Sequence, residues 1–159
     1  MNISVLKSVP QVLDHWHDED HSLHACVAEV RNWMREVEQR GIPHFGETAA
    51  RLRPVRDRLV QHFDREDEML HQIADLFLMP TPEIDSVRTQ ACYEHQQLLA
   101  RFDDLSARLA ELRPPFQSWQ AAMKEVDEFF ADLELHETQE ADNVAALASI
   151  AAQHEPELE

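Results

Sequence analysis

The chain has 159 residues, enough for one domain with a substantial core. Its 31 acidic and 14 basic residues give a net charge of −17, which repels phosphate backbones and anionic headgroups and argues against nucleic acid or a membrane as partner. Only two glycines, no strand-type alternation and long periodic segments rich in Leu, Ala, Glu, Gln and Arg make the class all-α.

Residues 1–11, with Pro10, read as a short lead before a first helix over about 12–40. Its apolar stripe is Trp16, Leu23, Val27, Val30, Met34 and Val37, and Gly41 followed by Pro43 is a stop signal. A second helix runs from about Glu47 to Phe77 on the stripe Leu52, Val55, Leu59, Phe63, Leu70, Ile73 and Phe77. Pro54 lies inside it, so a short turn before Pro54 or a kink at it is expected. Thr81 as N-cap and Pro82 at the first helical position start a third helix, which continues to about Leu112. Arg113-Pro114-Pro115 ends it, and a fourth helix follows from about Gln117 to Ala151. Short connections between four long amphipathic helices imply an up-down-up-down four-helix bundle over 12–151, with 1–11 and 152–159 as flexible ends.

Ten histidines are many for this length, and two of them recur in one pattern: His62 with Glu66, and His136 with Glu140. Four residues advance a helix by about 400°, so each His and Glu share a face. Glu66 falls roughly 20° from the centre of its apolar stripe and His62 roughly 60°, while Glu140 falls roughly 40° from its own and His136 roughly 80°. A glutamate aimed into an apolar core is costly unless it is paired, protonated or bound to metal. Two such glutamates, each with a histidine one turn before it, point to a metal.

The third helix offers one histidine, His95, roughly 40° from its stripe centre. The first helix offers His15, His17, His21 and His24. His24 sits at the edge of the seam, which favours it. His21 has the matching spacing, since 41 residues separate His21 from His62 and also His95 from His136. Either is a candidate ligand. This weak repeat suggests two helical hairpins related by a pseudo-two-fold axis, with all four motifs at one level. Asp64, Asp67, Glu68, Glu137 and Asp142 read as a solvated face, from which any could hydrogen-bond a ligand imidazole. Cys92, one turn before His95, reads as a small buried side chain. No run approaches the roughly 20 apolar residues that span a bilayer, the first residues lack the apolar centre of a signal peptide, and two helical cysteines suit a reducing compartment. A cytoplasmic protein is the expectation.

Four imidazoles and two carboxylates bridging a metal pair give each metal four bonds, and one oxide or hydroxide gives each a fifth, leaving an open position. Nitrogen and oxygen ligands without thiolate suit iron, with manganese or zinc as alternatives. These motifs resemble the hemerythrin-like (HHE cation-binding) family across about residues 12–150. The resemblance implies a four-helix bundle holding a non-haem, oxo- or hydroxo-bridged di-iron centre. Roles in that family include binding O2, peroxide or NO for carriage, storage, sensing or scavenging. A di-iron peroxidase or NO/O2 reductase is an enzymatic alternative, and a structural, zinc-holding interaction bundle is another. The chain departs from respiratory hemerythrins, which carry two histidines a turn apart on the third helix; here Ala91 and Leu99 flank His95. It also lacks the extra N-terminal cysteines of iron–sulfur repair members and the Glu-x-x-His motif of ferritin-like proteins.

Overall fold

The computed structural model describes residues 9–40, 44–75 and 81–153, with side chains over 21–40, 44–75 and 81–150. They form four helices, α1 (Val9–Arg40), α2 (Phe45–Asp75), α3 (Pro82–Ala110) and α4 (Trp119–Gln153), and no strand among the described residues. None of these helices is long and apolar enough to cross a membrane. Packing joins α1 to α2, α2 to α3, α3 to α4, and α4 back to α1. That closed ring of neighbours is consistent with a four-helix bundle.

The ends of the helices follow local chemistry. α1 starts at Val9 rather than near residue 12, because Pro10 is tolerated in a first turn, where its missing N–H leaves no helical bond unmade. The Thr81 hydroxyl accepts from the Ile84 amide at 3.4 Å, and Pro82 follows as the first helical residue. Ser118 plays the same part for α4, its Oγ accepting from the Ala121 amide at 3.1 Å. α2 begins at Phe45 and runs unbroken through Pro54. Gly41, Pro43, Phe77 and the two ends at 1–8 and 154–159 lie outside the described residues.

Buried side chains fall into two apolar clusters rather than one. The larger takes in Leu23, Val27, Val30 and Met34 of α1, Leu59 and Phe63 of α2, Leu98 and Phe102 of α3, and Phe130 and Leu133 of α4. The smaller takes in Met69, Leu70 and Ile73 of α2, Ile84 and Ala91 of α3, and Val144 and Leu147 of α4. Three helices cross from one cluster to the other over charged residues. α2 passes from Phe63 through Glu66 to Met69, α3 from Ala91 through His95 to Leu98, and α4 from Leu133 through His136 and Glu140 to Val144. The fold therefore encloses a polar layer between two dry ones.

Candidate metal centre

The polar layer is deeply buried. His62, Glu66, His95, His136, Glu137 and Glu140 are all at most 6% exposed, and Glu66 is sealed completely. Since ionised groups lose their hydration there, each must be matched by an opposite charge, a proton or a cation.

The inward Nε2 atoms of the three histidines all face carboxylate oxygens. His62 Nε2 lies 2.7 Å from Glu66 Oε1 and 3.0 Å from Glu137 Oε1. His95 Nε2 lies 3.0 Å from Glu66 Oε2 and 3.2 Å from Glu140 Oε2, the latter also 2.8 Å from His136 Nε2. These atoms close into two groups in which every donor lies within 4.8 Å of the others: Glu66, His95, His136 and Glu140 in one, and His62, Glu66 and Glu137 in the other. Glu66 belongs to both, offering one oxygen to each side.

His95 Nε2 and Glu140 Oε2 form a hydrogen bond at 3.2 Å, but other short contacts in the layer are not aligned as hydrogen bonds. His136 Nε2, both oxygens of Glu66 and of Glu137, and Glu140 Oε1 are buried without a well-aligned hydrogen bond. Buried polar atoms are ordinarily satisfied. Ligand atoms gathered within 4.8 Å of one another, several of them unsatisfied, could hold a metal ion. Imidazole and carboxylate without thiolate is the donor chemistry of a first-row transition metal.

The outward nitrogens are held from behind. His95 Nδ1 donates to Asp67 Oδ1 at 2.9 Å, and His136 Nδ1 donates to Glu94 Oε2 at 2.7 Å. A proton kept on Nδ1 leaves the Nε2 lone pair facing inward, and the carboxylate raises the ring's basicity. Phe63 stacks on the His95 ring at 4.1 Å and 10°, and meets His136 edge-on at 5.8 Å. Both rings are thus fixed in position and in tilt.

Without a metal, protons do the balancing. Burial pushes the Glu66 carboxyl well above the usual carboxylate range, and the neighbouring Glu137 and Glu140 push the same way against His95. For His95, burial disfavours the charge, but Asp67, Glu140 and Glu66 outweigh it and push the imidazole up to about 11. His136 is raised in the same manner, by Glu140 and Glu94 against burial. Burial would raise Glu140, yet His136 and His95 hold it below its ordinary value. Glu137 is likewise lowered, by His62 against burial.

The structure brings together five of the residues singled out in the sequence: His62, Glu66, His95, His136 and Glu140. The α1 histidines are not among them. His21 and His24 are both exposed and stand outside the donor groups. The buried stripe of α1 steps through Leu23, Val27, Val30, Met34 and Val37, so the side chain turned inward at this level is Leu23. His24, about 100° further round, lines a small cavity of about 10 Å³ whose other walls include Leu23 and Glu137. The side chains of His15 and His17 lie outside the described residues.

Three acidic residues complete the picture. Glu137, expected on a solvated face, is 6% exposed and a member of the second group. The signal was its register, since Phe130, Leu133, Glu137, Glu140, Val144 and Leu147 alternate in steps of three and four along one stripe. Asp67 is 41% exposed and does reach back to an imidazole, as its place beside the motif allowed. Glu94 carried no mark in the sequence beyond its position next to His95. Glu140 Oε2 lies within 3.2 Å of both histidines of a single group, and among the described residues the two groups have Glu66 in common. Cys92, expected to be buried, is exposed, because Ala91 occupies the inward position beside it.

No family model, curated protein or solved structure matches this chain.

Proposed function

We propose that the chain is a hemerythrin-like, up-down-up-down four-helix bundle of the cytoplasm whose polar layer holds two non-haem iron ions joined by an oxide or hydroxide. Its function is to bind O2, peroxide or NO for sensing, storage or scavenging. The observation that carries the reading is Glu66: one sealed carboxylate presents its two oxygens to imidazoles of two adjacent donor groups.

His95, His136, Glu140 and one oxygen of Glu66 serve the first position. His62, Glu137 and the other oxygen of Glu66 serve the second. His24 is the helix-α1 ligand of this second position, favoured over His21 because it shares a cavity wall with Glu137. Each position would then draw on four protein donors, and a metal held by so few would keep room for a small ligand. An iron pair supplies one-electron chemistry and a place for that ligand to bind. The chain's own residues do the rest. Asp67 and Glu94 keep the proton on Nδ1 of His95 and His136, and the apolar layers of Phe63, Leu133, Met69 and Val144 keep bulk water from the centre.

The test is metal analysis of aerobically purified protein, with a near-ultraviolet and visible spectrum before and after azide. About two irons per chain, with oxo-bridge bands that change on azide addition, is the expected result. A colourless, redox-silent protein holding zinc or nothing would overturn the reading.

A further inference from the structure

A cavity lies beside the second donor group. Between α1 and α2 a narrow cavity of about 40 Å³ is lined by Ser22 and Leu23 on one side and by Arg58, Gln61, His62 and Arg65 on the other. A cavity needs about 10–15 Å³ on this measure to admit a water, so this one takes a water or a small polyatomic ion. His62, the buried imidazole of the second group, forms part of its wall. On the other side of the layer, His95 is covered by Phe63 and backed by Asp67.

The lining is unusual in its charge. On a chain of net charge −17, the described residues that line this cavity include Arg58 and Arg65 and no carboxylate. The Arg58 guanidinium donates to the Ser22 hydroxyl across the gap between the helices, and a neutral acceptor leaves its positive charge standing. Among the described residues no carboxylate lies within ion-pair distance of it. Gln61 adds an amide between the arginines and the floor. Arginine at a constriction, set against an acidic surround, focuses a local positive potential that raises the arrival rate of anions and does nothing for neutral molecules.

We propose that this cleft is an anion portal: a small monovalent inorganic anion, of the size of azide or nitrite, enters past Arg58 and reaches the second metal position beside His62. The proposal rests on the metal reading above. It adds a route and a selectivity, with Arg58 as the residue that sets them. Ser22 holds the guanidinium in the cleft, and Leu23 stands between this cavity and the one that Glu137 lines.

Stopped-flow mixing of the iron-loaded protein with azide, and separately with NO, tests it, with iron content measured on the same samples. In the wild type, azide association should slow as salt rises while NO association stays flat. Arg58→Glu should slow azide about tenfold at low salt and invert its salt dependence, leaving NO within about twofold. Arg53→Glu makes the same change in net charge on an exposed part of α2 away from the cleft, and should leave azide close to the wild-type rate. Should Arg58→Glu lose iron, Arg58→Gln decides, with an expected slowing of about threefold. The portal is overturned by a fully loaded Arg58 variant that takes azide at the wild-type rate, by equal slowing in Arg53→Glu, or by equal slowing of NO. Wild-type protein that takes up no iron overturns the metal reading and the portal together, and the iron measurement tells that case from the others.

Discussion

The two donor groups share Glu66 and little else. The first has two imidazoles, each pinned from behind by a carboxylate and wedged by Phe63. The second has one imidazole, two carboxylates, and an apolar leucine where α1 faces it. The difference lies in how many helices turn a donor inward. α3 contributes His95 to the first group, whereas α1, its counterpart in the sequence repeat, contributes Leu23 at the same level. Two unlike groups side by side are the consequence. Glu66→Ala is the most severe break, because it removes an oxygen from both: bound metal should fall from about two per chain to near zero. Glu140→Ala and Glu137→Ala should each remove about one, from the first and second positions respectively. Metal analysis of the three variants checks this, and equal losses in all three would mean that the groups are not separate.

Smaller changes sharpen the same contrast. Asp67→Asn and Glu94→Gln leave every donor in place but release an imidazole from its backing. Each should weaken the first position by about 10–100-fold in a chelator competition, with the second little changed. His24→Ala should weaken the second position by about tenfold and spare the first, while His21→Ala should alter neither. A loss with His21→Ala and none with His24→Ala would transfer the α1 ligand to His21.

The legible part of the centre was whatever the helical phase decides. Glu66 and Glu140 stand near the middle of apolar stripes, and a charge in that position has few explanations. Glu137 stands in an equally good register, but a carboxylate outside the repeated His-Glu pattern reads as part of a solvated face. The two stripe edges of α4 both count, since α4 packs against α1 on one side and α3 on the other. Asp67 and Glu94 are half-exposed, and whether such a carboxylate turns in or out is decided by what lies across the helix boundary, which one helix's pattern does not contain. In α1 the stripe leaps seven residues from Trp16 to Leu23, so its phase near four clustered histidines was loose by about the width that separates His21, Leu23 and His24. The helices themselves were read closely, because their caps at Thr81 and their proline stops are local.

Metal and protons compete for the same atoms, and that gives the mildest contrast, between loaded and metal-free protein. Metal-free, His95 is raised from 6.5 to about 11, and His136 and Glu66 are raised too. The folded state then binds more protons than the unfolded one above pH 6.5, so the stability from His95 is full below 6.5 and is lost as pH rises toward 11. Glu140 and Glu137, both lowered, act in the opposite sense, contributing above their ordinary 4.5 and losing that contribution as pH falls. Metal-free protein should therefore be most stable between these values, at weakly acidic pH. Loaded protein behaves otherwise, since ions take neutral imidazole and ionised carboxylate and bind more tightly as proton competition fades. The gap in Tm between the two forms should widen from pH 6 to pH 9, by about 4 °C for each linked proton per pH unit. General charge repulsion on so acidic a chain affects both forms alike and cancels in the difference. Parallel curves would mean that the groups holding those protons are not the ones that hold the metal.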